Sequence, residues 1–221
     1  MSVFNILVTY WPAFLKGLFV TLQLCAIIWT GGLVLGATLG MAGTRLPAAI
    51  GGPSRIISFI LGATPLLVFL FWMHYSLQGM LGIVIDPFWT TSFILTVLNI
   101  FGVADIVRTA LADFPRQYLV AAQVTGLTRR QTIFRIQLPL ILRSTLPSLL
   151  LLQVAMLHAT LFSSLISVEE IFRMAQRINS QIYKPVEIYT AMGVFFLALC
   201  LPVNGLAWIL RQRYTRNISE H

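Results

Sequence analysis

The sequence predicts an all-α membrane protein with about five transmembrane helices, and three observations carry that prediction. Of 221 residues, 57% are apolar and only 10% are charged, where soluble domains usually carry about a quarter. Uncharged stretches long enough to cross ~30 Å of hydrocarbon recur along the chain. Those stretches lack the alternation of barrel strands, which leaves helices as the form that satisfies the backbone in lipid.

Taken in order, the chain begins with fifteen uncharged residues, Met1 to Leu15, interrupted by Pro12. This segment has neither a basic leader nor a small-residue cleavage site, so it reads as retained. The first span runs over 17–42, with Gly31, Gly32, Gly36 and Gly40 at spacings that favour close helix packing. The second covers 56–80 and stays uncharged until Asp86, so it either tilts or ends in a short outer loop near 79–85. Thr64-Pro65 within it predicts a local kink, with the Thr hydroxyl satisfying a freed carbonyl. His74, near its outer end, is expected to meet interface water. The third span, 87–108, closes on Asp105 and Arg108, three apart and able to pair on one helical face. A polar, basic segment follows over 114–143. The fourth span is 144–168 and the fifth 188–210, all within one domain, 1–221.

Charge sets orientation. With the C-terminus inside, the inner segments hold Arg45, Arg55, Arg108, Arg116, Arg129, Arg130, Arg135, Arg143, Arg211, Arg213 and Arg216. The outer segments keep Lys16, Arg173, Arg177 and Lys184, with Asp86, Glu169, Glu170 and Glu187 among them. Eleven basic residues against four is the positive-inside pattern, predicting N-out and C-in. The formal net charge of +8 does not point to nucleic acid, because the basic residues cap apolar segments rather than share a face. Cys25 and Cys200 each lie in an apolar run and read as small core hydrophobes, not a disulfide or a metal site.

The 114–143 segment is polar but keeps helical periodicity and reads as helix, break, helix. Gly126 suits a C-cap that needs positive φ, and Thr128 with Gln131 fits a capping box. Ala121, Val124, Ile133, Phe134 and Ile136 supply apolar faces; Arg129, Arg130 and Arg135 supply charge. Such a pair either lies in a groove of another protein or rests on anionic headgroups.

Val120-Ala121-Ala122, three residues, Gly126, nine residues, Ile136, one residue, Leu138-Pro139 resembles the Glu-Ala-Ala loop of ATP-binding-cassette importer permeases. Every spacing matches, and only the leading Glu is replaced, by Val120. The resemblance implies a type I importer permease, and it implies a cytoplasmic coupling helix contacting an ATPase dimer through Ala121, Ala122, Gly126, Thr128, Arg129, Arg130, Ile136, Leu138 and Pro139. Gly62 to Val68, Ala104-Asp105-Ile106-Val107-Arg108, Leu157-His158-Ala159-Thr160 and Ser167-Val168-Glu169-Glu170 are similar to segments of the polar amino-acid subfamily. There Gly62 replaces an Arg, His158 a Lys and Ala159 an Asp. The lost charges imply either a second, unlike permease that supplies them, the preferred reading, or a different substrate. The family also implies a periplasmic solute-binding protein, surrounding membrane lipid and a place in the bacterial inner membrane.

No Gly-x-x-x-x-Gly-Lys-Ser/Thr loop is present to cradle phosphates, so ATP and Mg²⁺ are expected on the partner ATPase, with no catalytic or metal-ligating residue in this chain. Thr64, Asn99, Gln153, His158 and Thr160 are candidates to line a translocation pathway, since polar groups within spans are expensive and tend to be functional. His158 can hydrogen-bond Gln153, Thr160 or a neighbouring helix. An ion-driven secondary transporter fits less well, because no internal repeat is evident. A serine protease using Ser163 or Ser164 with His158 lacks a supporting motif. A structural subunit of another complex leaves the 120–139 pattern without a purpose.

Overall fold

A computed structural model describes residues 3–219, with side chains described from 5 to 213. Helices α1 (Val3–Thr9), α2 (Trp11–Arg45), α3 (Pro47–Ala63) and α4 (Leu66–Leu81) form the first part of the chain. Helices α5 (Pro87–Ala112), α6 (Arg116–Val124), α7 (Arg129–Ile166), α8 (Ile171–Ile182) and α9 (Pro185–Ser219) follow. Among the described residues, α2, α5, α7 and α9 are each long and apolar enough to cross a membrane, and α3 with α4 passes the same test only as a pair bent by 99°, a broken span or a re-entrant loop.

In lipid, apolar side chains gain little by leaving one hydrocarbon for another, so close packing and polar contacts must hold the spans together. The glycine series does this for α2 and α5. A Cβ built on Gly32 would sit 2.2 Å from the Asn99 amide nitrogen, and one on Gly36 would sit 2.6 Å from the Ile100 carbonyl oxygen. Nothing larger than hydrogen fits there. Leu24, Ile28, Leu70, Ile94, Leu95 and Ile166 then bring α2, α4, α5 and α7 into one buried cluster.

Four boundaries differ from the sequence reading. The kink at Thr64-Pro65 is a 99° bend, since Thr64 is extended at φ −89° and ψ 123°, as the residue before proline prefers. Its hydroxyl does donate to the Ile60 carbonyl, at 2.9 Å. The second half of the basic segment is no separate helix, because α7 runs unbroken from Arg129 to Ile166. A wider π turn over Ile133–Gln137 accommodates Pro139, which lacks an N–H and crowds the preceding turn. The first span is longer than 17–42, and the outer segment between the fourth and fifth spans contains α8. Cys25 and Cys200 are free and buried.

Candidate functional site

Where α5 ends, the chain carries its basic segment outside the packed spans. Helix α6 closes with a Schellman motif: Leu127 N donates to Ala122 O and Gly126 N to Gln123 O, each at 3.0 Å. Gly126 takes φ +71°, a conformation that a Cβ makes costly. The chain restarts at once. Gln131 N donates to Thr128 Oγ1 at 3.3 Å, and Thr128 N donates to Gln131 Oε1 at 2.9 Å, completing the box.

Most of this element faces outward. Ala122 is buried, whereas Ala121, Gly126, Thr128, Arg129, Arg130 and Leu138 are exposed, with Ile136 and Pro139 half-buried. Val120 is 57% exposed, Val124 84% and Phe134 60%. Among the described residues nothing covers those apolar groups.

Beneath it, Arg108 is almost wholly buried and fully engaged. It pairs with Asp105 and donates to Ser54 Oγ at 2.6 Å and Gly51 O at 3.2 Å; Ser58 donates to the same Asp105. A desolvated guanidinium needs all of these partners, and together they tie α3 to the foot of α5.

Of the five polar positions within the spans, Asn99 and Gln153 meet and the other three do not join them. Asn99 is completely buried; its amide donates to Gln153 Oε1 and to Ile28 O, each at 2.9 Å. Gln153 donates back to Asn99 Oδ1 at 3.2 Å, and Trp29 Nε1 donates to Gln153 O at 3.2 Å. The pair clamps α2, α5 and α7 at one level. His158 meets neither Gln153 nor Thr160; its Nε2 lies 3.3 Å from Cys200 Sγ on α9. Thr160 is buried and bonds Leu157 O, and Thr64 sits at the bend. Ser163 and Ser164 donate to Thr160 O and Leu161 O, so neither serine is paired with His158.

Two further sites were not anticipated. His74 is half-buried and also bonded within the protein: its Nδ1 lies 3.2 Å from both Thr90 Oγ1 and Gln78 Nε2. At the end opposite the basic segment, α8 lays Ile171, Met174, Ala175 and Ile178 against α1, α2 and α9. Spacing of 3, 4 and 7 between those residues was the signal that could have revealed this helix. Glu170 caps it from a fully buried position, accepting from Phe172 N at 2.8 Å and Arg173 N at 2.7 Å. Burial raises this carboxyl to about 7 despite those two bonds. Its neighbour Glu169 is exposed and held below the usual carboxylate range by Lys16, which donates to it at 3.1 Å.

Bent and glycine-packed spans with a protruding helical segment define a multi-pass α-helical membrane protein. The chain belongs to the family of binding-protein-dependent transport system inner membrane components, whose model matches residues 32–216. It is 29% identical to the glutamine transport system permease protein GlnP of Escherichia coli over 91% of this chain and 93% of that one. It is 25% identical to the L-cystine transport system permease protein TcyB of Bacillus subtilis, over 96% and 91%. With the octopine transport system permease protein OccM of Rhizobium radiobacter it shares 27% identity, over 90% and 84%. A crystal structure of an amino acid ABC transporter superposes with a TM-score of 0.81 at 23% identity, covering 94% of this chain and 96% of that one. The inward-facing MetNI methionine ABC transporter superposes at 0.71 and 16% identity, covering 93% and 98%.

Proposed function

We propose that this chain is the membrane-spanning subunit of an ATP-driven importer of amino acids or amino-acid-like solutes. The 120–139 element grips a separate ATPase dimer in the cytoplasm. ATP and Mg²⁺ are bound there; this chain moves the solute and catalyses no covalent step. The N-terminus lies outside and the C-terminus in the cytoplasm, the orientation favoured by the eleven-to-four distribution of basic residues. A second, unlike permease completes the pathway, and a periplasmic solute-binding protein delivers the cargo. The relatives' names support amino acids as the solute class, and the subfamily charges missing at Gly62, Val120, His158 and Ala159 support an unlike partner.

One observation carries this reading: the exposed pair is continuous with a span. Arg129 at the surface and Ile166 at the far end of α7 belong to one helix. When ATP draws the ATPase subunits together, movement of the pair becomes movement of a transmembrane helix, a two-state element biased from a distant site. Glycine at 126 makes the experiment direct. Gly126→Val forces a β-branched residue into φ +71°, costing about 1–2 kcal/mol at that turn. Nothing lies within 4 Å of its side-chain position, so the spans keep their packing. The expected result is an inserted chain that fails to retain the ATPase on purification and fails to transport. Intact assembly and transport would remove the coupling role, as would labelling that finds Arg129 and Arg130 on the outer face.

A further inference from the structure

A cleft of about 790 Å³ opens behind the helical pair, between α6 and the adjoining halves of α2, α5 and α7. That size is ordinary for a small-molecule site. Its walls are graded in polarity. Leu33 and Ala37 of α2, with Val103 of α5 and Leu149 of α7, line it toward mid-span. Arg45, Gln123 and Arg129 line it toward the basic surface. Thr145 also borders the deep part, but its hydroxyl is spent on Ile141 O at 2.8 Å. From Leu33 to Arg45 the helix rises ~18 Å at 1.5 Å per residue, which matches one leaflet of a ~30 Å hydrocarbon core plus the start of its headgroups.

Charge identifies the occupant. No carboxylate lines the cleft, and among the described residues neither Arg45 nor Arg129 has an acidic partner. We propose that the cleft holds one anionic phospholipid, its acyl chain along α2 and α7 and its phosphate against Arg45 and Arg129. Basic pockets between spans at a membrane's inner boundary suit such headgroups. A helix of the second permease seated here would leave both guanidiniums without an anion unless it brought its own carboxylates. The lipid supplies the anion and the hydrocarbon together. It would also wedge the gap between α6 and the foot of α7, so it deepens the importer reading above: the angle of the coupling pair depends on a lipid of the cytoplasmic leaflet.

The test uses the complete transporter, reconstituted with a phosphatidylglycerol analogue carrying a photoreactive acyl chain, and maps labelled peptides by mass spectrometry. Label is expected on 33–41 and 138–149, displaced by unlabelled phosphatidylglycerol and not by phosphatidylcholine. Arg45→Gln should lower labelling about fivefold. Ala37→Trp, which fills the floor, should abolish it while the purified complex retains its ATPase. Equal displacement by both lipids would overturn the proposal, as would efficient cross-linking of a Met41→Cys variant to the second permease. Failure of the importer reading would appear separately, as ATPase binding that survives Gly126→Val while the lipid label is unchanged.

Discussion

Two amphipathic helices lie at opposite ends of this molecule and have opposite fates. Helix α8 buries Ile171, Met174, Ala175 and Ile178 within its own chain and is capped by a carboxylate with no exposure. Helix α6 buries Ala122 and leaves Val120 and Val124 uncovered. Each is polar on one side and short, so propensity does not separate them; isolated helices of this length are marginal in water. What separates them is where the apolar face finds a partner. The α8 end is closed by its own chain, and the α6 end is left uncovered.

The largest effect that would sharpen this contrast is expected at Gly17, where a Cβ would meet Met174 Cγ at 2.7 Å and Ile171 Cα at 2.8 Å. Gly17→Leu should pry α8 from α2 and lower stability by about 3 kcal/mol, read as thermal unfolding in detergent. Unchanged melting would mean that α8 is not part of the closed unit. Next comes Glu170. Its folded pKa of about 7 lies above the ordinary carboxylate value, so the folded protein holds the proton more tightly than the unfolded chain. The stabilisation is complete below the unfolded pKa and is lost as pH rises through about 7. Wild-type stability should therefore decline by about 1–3 kcal/mol between pH 5 and 8, and Glu170→Gln should flatten that slope; an identical slope in the variant would assign the titration elsewhere. The smallest effect is at Val124. Val124→Ser should shift the stability of the isolated chain by less than about 0.5 kcal/mol yet weaken ATPase binding roughly three- to fivefold. Loss of stability without loss of binding would reverse the comparison.

The same contrast explains what the sequence made legible. Spans were readable because lipid demands long uncharged runs, and the turn at 125–128 because positive φ and a capping box leave distinct residues at fixed spacings. The Asp105–Arg108 pair was readable from its three-residue interval. The joining of the basic segment to α7 was not, because a proline at 139 ordinarily reads as a boundary and the π turn that absorbs it has no residue signature. Asn99 and Gln153 stand 54 residues apart, and no local pattern says that two amides will meet. The bond between His74 and Thr90 is hidden for the same reason, since it forms only once the spans have packed; Glu170's bonds to Phe172 N and Arg173 N are local, and only its burial depends on that packing.

The amide pair at Asn99 and Gln153 also has a mechanical meaning. It fastens α7 to its neighbours at one level and divides that helix into unequal arms, ~36 Å from Arg129 to Gln153 and ~20 Å from Gln153 to Ile166. A rod pivoting there has a fulcrum nearer its Ile166 tip, so a broad swing of the Arg129 arm becomes a shorter, more forceful stroke at the other end. Pro147, within the longer arm, is where that stroke would lose amplitude to bending.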